Sequence, residues 1–384
     1  MYAGAGCALA GHPTGGLINL QELELRAPGK LMIAGEYAVL EPHQPAVVVA
    51  IERYVRARLR RSDAWAVSVP AFGLYDVPFS PVMGGIHFAN PDPRLRFVQE
   101  ALVVALSENV APFSLELHSD LEESDGRKFG LGGSAAAVVA TVAAVCHATR
   151  PSHETPPSAE KIFKLSAVAH FRAQGSGSGA DIAASTYGGW LRYTSFQPRW
   201  LAARLARGDT VQELVSEPWP FFSVERLSPL PRDLQLCVGW TGEPASTAHM
   251  LRRIDVLKEE EPHVFEAFLV ESHRAVEHLT AGLQSANRHR ALEAVTRNAA
   301  ALRKLGQEAG IPIETPALER LVAAAEEAGG AGKPSGAGGG DCGIALIFGE
   351  REAARLSVLW REAGLVPLQL TPQDAGVVVS RVIP

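Results

Sequence analysis

The chain predicts an α+β protein in which strands open, divide and close a long helical region. Two early blocks, 23–27 and 46–60, alternate apolar and polar residues with the period of a strand. Segments 246–260, 262–284, 288–309 and 316–328 instead repeat apolar residues at helical spacing. Expected strands at 234–240 and 342–348 bracket those helices, and a helix at 350–363 and a last strand at 376–382 follow. That order suits an α+β sandwich.

Taken along the chain, the first two strands join through Pro28-Gly29-Lys30, which reads as a turn, and on through Gly35 to Leu40. Residues 62–93 are rich in Gly and Pro and read as strands with long loops. A helix is expected over 95–110 and a strand over 113–119. The loop 130–134 then feeds a helix over 135–149, and Ser158 is placed to cap a helix running through Phe171. After Asp181, residues 182–187 and Gly188-Gly189 lead into a strand at 190–194. Pro198, Pro218, Pro220, Pro229 and Pro231 mark a domain junction, with domains expected at 21–215 and 216–384. Residues 1–20 lack the charged start and apolar centre of a secretory signal, and read as a disordered leader or a mis-assigned start.

At 384 residues the chain exceeds what one core usually supports, which also argues for two domains. A net charge of −6 excludes bulk binding to nucleic acid or an anionic membrane, so any anion site must be local. The cysteines, Cys7, Cys146, Cys237 and Cys342, are scattered without metal spacing, which points to a reducing compartment, the cytoplasm. Residues 131–148 are the most apolar run, but they start in a glycine loop and read as a buried helix rather than a membrane span.

Three glycine-rich loops carry the functional signal: Gly130-Leu-Gly-Gly-Ser134, Gly175-Ser-Gly-Ser-Gly-Ala-Asp181 and Ser335-Gly-Ala-Gly-Gly-Gly-Asp341. Backbone without Cβ atoms can bring N–H groups close to an anion, so together they suggest a pocket for a phosphorylated ligand. The first loop precedes a helix and can hold a triphosphate at its N-terminus, with Ser134 either capping the helix or reaching magnesium. It is neither a Walker A motif nor a dinucleotide fingerprint. Asp181 can cap a helix, sit on a metal or accept a proton during phosphoryl transfer. Lys30 is surface charge or the cation that orients such a carboxylate. Arg127 and Lys128, beside the first loop, are surface charge or bind a phosphate on the substrate. Asp341 reads as a cap or brace for the last loop, with a catalytic role as the lesser alternative. The histidines form no metal-ligand spacing.

In this order, Pro28-Gly-Lys30…Gly35-Glu-Tyr37, Gly130-Leu-Gly-Gly-Ser134-Ala-Ala and Lys333…Ser335-Gly-Ala-Gly-Gly-Gly-Asp341 resemble the GHMP kinase superfamily, from about residue 24 to the end. Within it, Gly35-Glu-Tyr-Ala-Val-Leu40, Gln174-Gly-Ser-Gly-Ser-Gly-Ala-Asp181, Gly239-Trp-Thr-Gly-Glu-Pro-Ala-Ser246-Thr and Gly338-Gly-Gly-Asp-Cys342 are most similar to the phosphomevalonate kinases. The resemblance implies an N-terminal ribosomal-S5-like domain and a C-terminal ferredoxin-like domain with the active site between them. The implied reaction takes ATP and 5-phosphomevalonate to ADP and 5-diphosphomevalonate, by a monomer or homodimer.

By the same resemblance Lys30 and Asp181 are catalytic, and Gly130, Leu131, Gly132, Gly133, Ser134 and Ala135 bind ATP. Ser134 also holds Mg2+. Lys30, Lys128, Ser178 and Gly179 face the substrate, as do Ser335, Gly336, Ala337 and Gly338. Two departures stand out: Gly133 replaces a more usual serine, and His170 occupies the register where mevalonate kinases carry a magnesium-binding glutamate. The alternatives are a kinase of mevalonate or another small molecule on the same fold, or a non-catalytic sensor built on it. A sensor is expected to have lost Lys30 or Asp181, and both are present.

Overall fold

The computed structural model describes residues 21–107, 110–121, 129–151, 154–243 and 247–383, so the expected leader and Lys128 lie outside the described residues. The first half contains β1 (Glu22–Ala34), β2 (Pro45–Arg61), β3 (Ala66–Val69), β4 (Leu74–Val82), β5 (Gly85–Phe88), α1 (Arg96–Ala105), β6 (Phe113–Ser119), α2 (Gly133–Ala148), α3 (Ala159–Gln174), α4 (Ala180–Tyr187) and β7 (Trp190–Thr194). There follow α5 (Pro198–Ala206), α6 (Val211–Ser216), β8 (Ser223–Arg226), β9 (Leu234–Trp240), α7 (Thr247–Glu260), α8 (Pro262–Gln284), α9 (Arg288–Ala309) and α10 (Pro316–Glu327). The chain closes with β10 (Ala331–Pro334), β11 (Cys342–Phe348), α11 (Glu350–Glu362), β12 (Val366–Leu368) and β13 (Val378–Ile383).

Two sheets organise the molecule. Among the described residues the larger has nine strands, in the order β13-β1-β2-β6-β3-β4-β5, with β7 paired to β2 and β8 to β7. The smaller has four strands in the order β10-β11-β9-β12. Strand β2 explains its own placement: Pro45–Ile51 are buried on both faces, and beyond them exposure alternates as the strand reaches a half-solvated region. Helix α2 is apolar on every side and is buried against β1 and β2, with α1 and α3 also packed on it. Helices α9, α10 and α11 pack on the smaller sheet.

Several details depart from the sequence expectation. Pro28-Gly29-Lys30 is no turn: β1 continues through it, and the irregularity appears as a shift of register with β2 between Pro28 and Gly29. Nor do the sheets divide at residue 216, because β8 pairs with β7 and β13 returns to pair with β1. The proline-rich junction also holds α5 and α6, the latter closed by a capping box between Thr210 and Glu213. The turn after β1 crosses between the halves of the molecule. Tyr37 and Ala38 are buried in a cluster with Met250 and Ile254 of α7, Phe265 and Phe268 of α8, and Leu302 of α9. Among the described residues no helix is long and apolar enough to cross a membrane.

Candidate active site

The glycine loop before α2 is built around Lys30. The Lys30 amide donates to the Leu131 carbonyl at 2.9 Å, and its Nζ donates to the Gly130 carbonyl at 3.1 Å. Its stem crosses Gly132 so closely that a Cβ there would lie 2.9 Å from Lys30 Cγ, while the backbone has φ of +82°. Glycine is needed at that position on both counts. Gly132 is also the residue before the first turn of α2, and no side chain caps the helix. The leading N–H groups of α2 therefore have no intrahelical partner, which is the arrangement that receives a phosphate.

Ser134 does not cap α2. It lies inside the first turn, with Oγ 3.4 Å from Nε2 of His170, whose buried ring stacks at a tilt beside Phe97. Asp181 likewise lies within the first turn of α4 rather than at its cap, which is Gly179. One Asp181 oxygen, Oδ1, accepts the Ile182 amide at 2.9 Å. The preceding loop is pinned from below: the Ser178 carbonyl accepts Tyr193 Oη at 2.5 Å and Ser195 Oγ at 2.9 Å. A further bond, Ser185 Oγ to the Pro28 carbonyl at 2.7 Å, ties α4 to β1. Lys30 and Asp181 are thus presented by two elements that are bonded to each other.

The last glycine loop arrives from the smaller sheet. Ser335 Oγ donates to the Met32 carbonyl at 2.9 Å, and Tyr37 Oη donates to the Ala337 carbonyl at 2.5 Å. Gly338 has φ of +74°, and a Cβ there would meet the Ile313 carbonyl oxygen, so no side chain fits. Asp341 braces this loop as expected. Its amide donates to the Glu243 carbonyl at 2.6 Å, and its own carbonyl accepts the Thr241 amide at 2.9 Å. Its carboxylate also packs against Gly130, joining the first and last loops.

Two adjoining cavities result. One, of about 310 Å³, is lined by residues 130–134, Ser335–Gly338 and Asp341, together with Lys30 and Asp181. The other, of about 190 Å³, holds Glu36, Tyr37, His170, Gln174 and Ser178, again with Lys30 and Asp181. Gly336 and Ala337 also line both. A larger concavity of about 780 Å³ lies between β9, α11 and residues 367–374, away from every glycine loop.

Of the residues expected at the site, Ala135 is fully buried in α2 and Gly179 shapes the turn into α4 without lining either cavity. Sequence reasoning passed over the residues beneath the site. Lys333, fully buried, forms an ion pair with Glu36, which is 3% exposed. Burial pushes the Lys333 amine below its ordinary range, and the Glu36 carboxylate opposes that shift.

Residues 96–189 match the family GHMP kinases N terminal domain, and residues 280–364 match GHMP kinases C terminal. A phosphomevalonate kinase from a Streptomyces species is 38% identical, over 91% of this chain and 97% of its own. The chain belongs to the phosphomevalonate kinase family. Among solved structures, a protein from Listeria innocua superposes with a TM-score of 0.86 at 33% identity, covering 94% of this chain and 99% of that one. The Streptococcus pneumoniae phosphomevalonate kinase, solved with phosphomevalonate and AMPPNP, gives 0.78 at 28% identity over 91% of this chain and 99% of its own. The expected α+β GHMP kinase fold is the observed one.

Proposed function

We propose that this enzyme transfers the γ-phosphoryl group of ATP to (R)-5-phosphomevalonate, giving ADP and (R)-5-diphosphomevalonate in the mevalonate route to isoprenoids. The observation that carries the reading is the pair of cavities with Lys30 and Asp181 in the wall of each. One has the glycine loop and the N-terminus of α2 for a triphosphate, and the other accommodates the acceptor.

The acceptor oxygen belongs to a phosphate monoester whose second pKa is about 6, so at neutral pH it is already largely ionised. It attacks the γ-phosphorus, the bond to the bridging oxygen breaks, and ADP leaves with that electron pair. Little proton abstraction is required of Asp181. The difficulty lies in bringing two anions together, which makes positioning and charge neutralisation the main contributions. Lys30 supplies fixed positive charge where the two cavities meet. Its bond to the Gly130 carbonyl orients the ammonium before substrate arrives. Asp181 holds the acceptor side in register, and Ser178, Gly336 and Ala337 line its approach. Lys128 is the further cation that we assign to the acceptor phosphate.

Among the described residues there is no cluster of three or more His, Cys, Asp or Glu able to hold a metal. The nucleotide cavity does offer hard oxygen donors, among them the Ser134 hydroxyl and the Asp181 carboxylate. That donor set fits Mg2+ arriving on ATP and retaining several waters, with Ser134 and Asp181 as the residues that would hold it. When bound, magnesium neutralises charge on the β- and γ-phosphates. The scattered unpaired thiols Cys146, Cys237 and Cys342 support a reducing, cytoplasmic setting. Phosphorus NMR of the product tests the reaction. Two coupled diphosphate resonances are expected from 5-phosphomevalonate, and an unchanged monoester signal alongside ATP consumption contradicts the transfer.

A further inference from the structure

Tyr37 joins three observations that the reaction as described does not use. Its backbone has φ of 59° and ψ of −50°, outside the basins that an aromatic residue ordinarily occupies. Such strain persists only where the surroundings over-determine it, and it concentrates at functional sites. Here the ring is 6% exposed within the helical cluster, and its hydroxyl donates to the Ala337 carbonyl at 2.5 Å. Third, Tyr37 and its neighbour Glu36 line the smaller cavity only, whereas the Gly336–Ala337 peptide that they approach lines both.

We propose that Tyr37 is a positioning residue for phosphoryl transfer. With Glu36 it fixes the Gly336–Ala337 peptide, and so sets how far the acceptor phosphate advances toward the nucleotide. The inference rests on the transfer reading above. Three ties hold the loop to the segment that ends β1: Ser335 Oγ on the Met32 carbonyl at 2.9 Å, the Lys333–Glu36 ion pair, and Tyr37 on Ala337. Lys333 Nζ also donates to the Pro334 carbonyl at 2.6 Å, so the ion pair orients the backbone entering the loop. Packing contributes as well: Ala337 packs against the helical cluster beside Tyr37, whereas Gly336 has φ of +79° and open space where its Cβ would stand, so the ties fix the side of the peptide that packing leaves free. Reacting groups displaced by as little as about 1 Å lose on the order of a hundredfold in rate, so one lost tie is kinetically visible.

The test is steady-state kinetics of full-length Tyr37→Phe with Mg-ATP and 5-phosphomevalonate, paired with its melting temperature. The expected result is a fall of about tenfold or more in kcat, a rise of up to about tenfold in acceptor KM, less than about threefold in nucleotide KM, and a nearly unchanged melting temperature. Unaltered kcat and KM values, or a lower melting temperature with ordinary kcat and KM, overturn the proposal, since a purely structural tyrosine gives the second pattern. Should Tyr37→Phe not fold, Ser335→Ala cuts another tie and is judged by the same pattern. Wild-type protein inactive on 5-phosphomevalonate sinks the transfer reading and this inference together. Active wild type with an indifferent Tyr37→Phe sinks this inference alone.

Discussion

Replacing Lys333 by methionine tests how the two sheets are held together beneath the site. Lys333 lies on β10 of the smaller sheet, Glu36 follows β1 of the larger, and the two side chains are 0% and 2% exposed. Lys333→Met removes the cation but keeps a stem of similar length, and so leaves the Glu36 carboxylate buried without its counter-charge. One carboxylate oxygen, Oε2, already has no hydrogen-bond partner, so the orphaned group has little else to turn to. Breaking a buried pair from one side costs about 3–5 kcal/mol. Unfolding entropy near 2.1 cal/mol/K per residue gives roughly 0.8 kcal/mol/K over the 384 residues. With the sheets melting as one unit, the melting temperature falls by about 4–6 °C. The double variant Glu36→Gln/Lys333→Met removes both charges and should recover at least half of that loss. Differential scanning calorimetry of wild type and both variants decides it. A single variant that melts with wild type refutes the reasoning, as does a double variant no more stable than the single.

Lys30→Met should lower kcat by about 10²- to 10³-fold, the loss typical when a preorganised charge-stabilising donor is removed, and change either KM only a few-fold. A steady-state kcat within about threefold of wild type removes Lys30 from the mechanism. Three thiols, Cys342 buried and Cys146 and Cys237 partly so, give a pH prediction. Burial pushes Cys342 up to about 12, with Asp341 adding to the shift, and pushes Cys146 and Cys237 up to about 11. The reactive thiolate is then scarce at neutral pH, so iodoacetamide should label these positions negligibly at pH 8. Labelling should rise about tenfold per pH unit while the fold holds. Peptide mass mapping showing fast modification of Cys342 at pH 8 contradicts this.

How much was legible in the sequence depended on whether a signal was local. Strands β9 and β11 are short, largely apolar runs, helices α8 and α9 carry unbroken helical periodicity, and the expected and observed bounds of all four agree. The glycine loops were legible because an absent Cβ has few other uses in such runs, and they converge on the cavities. Local signals also misled. Pro28-Gly29 reads as a turn in any window, but pairing with β2 over most of its length carries β1 through it as an irregularity in register. The prolines at 198–231 concealed α5 and α6, although Thr210 and Glu213 stand at capping-box spacing. The short β12 and the return of β13 to β1 depend on partners far along the chain. So does the pairing of Glu36 with Lys333, 297 residues apart. Nothing beside Lys333 announces that a lysine will be fully buried, and its partner is set by the meeting of two sheets. Ser134 and Asp181 looked equally fit to cap helices, and only the geometry places both inside their first turns.

The most direct test of the account is ADP release by purified full-length protein with Mg-ATP and either 5-phosphomevalonate or mevalonate. Turnover with the phosphorylated acceptor and at most a trace with mevalonate is the predicted result. Equal or greater turnover of mevalonate contradicts the account, because the smaller cavity would then not be built for an acceptor that already carries phosphate.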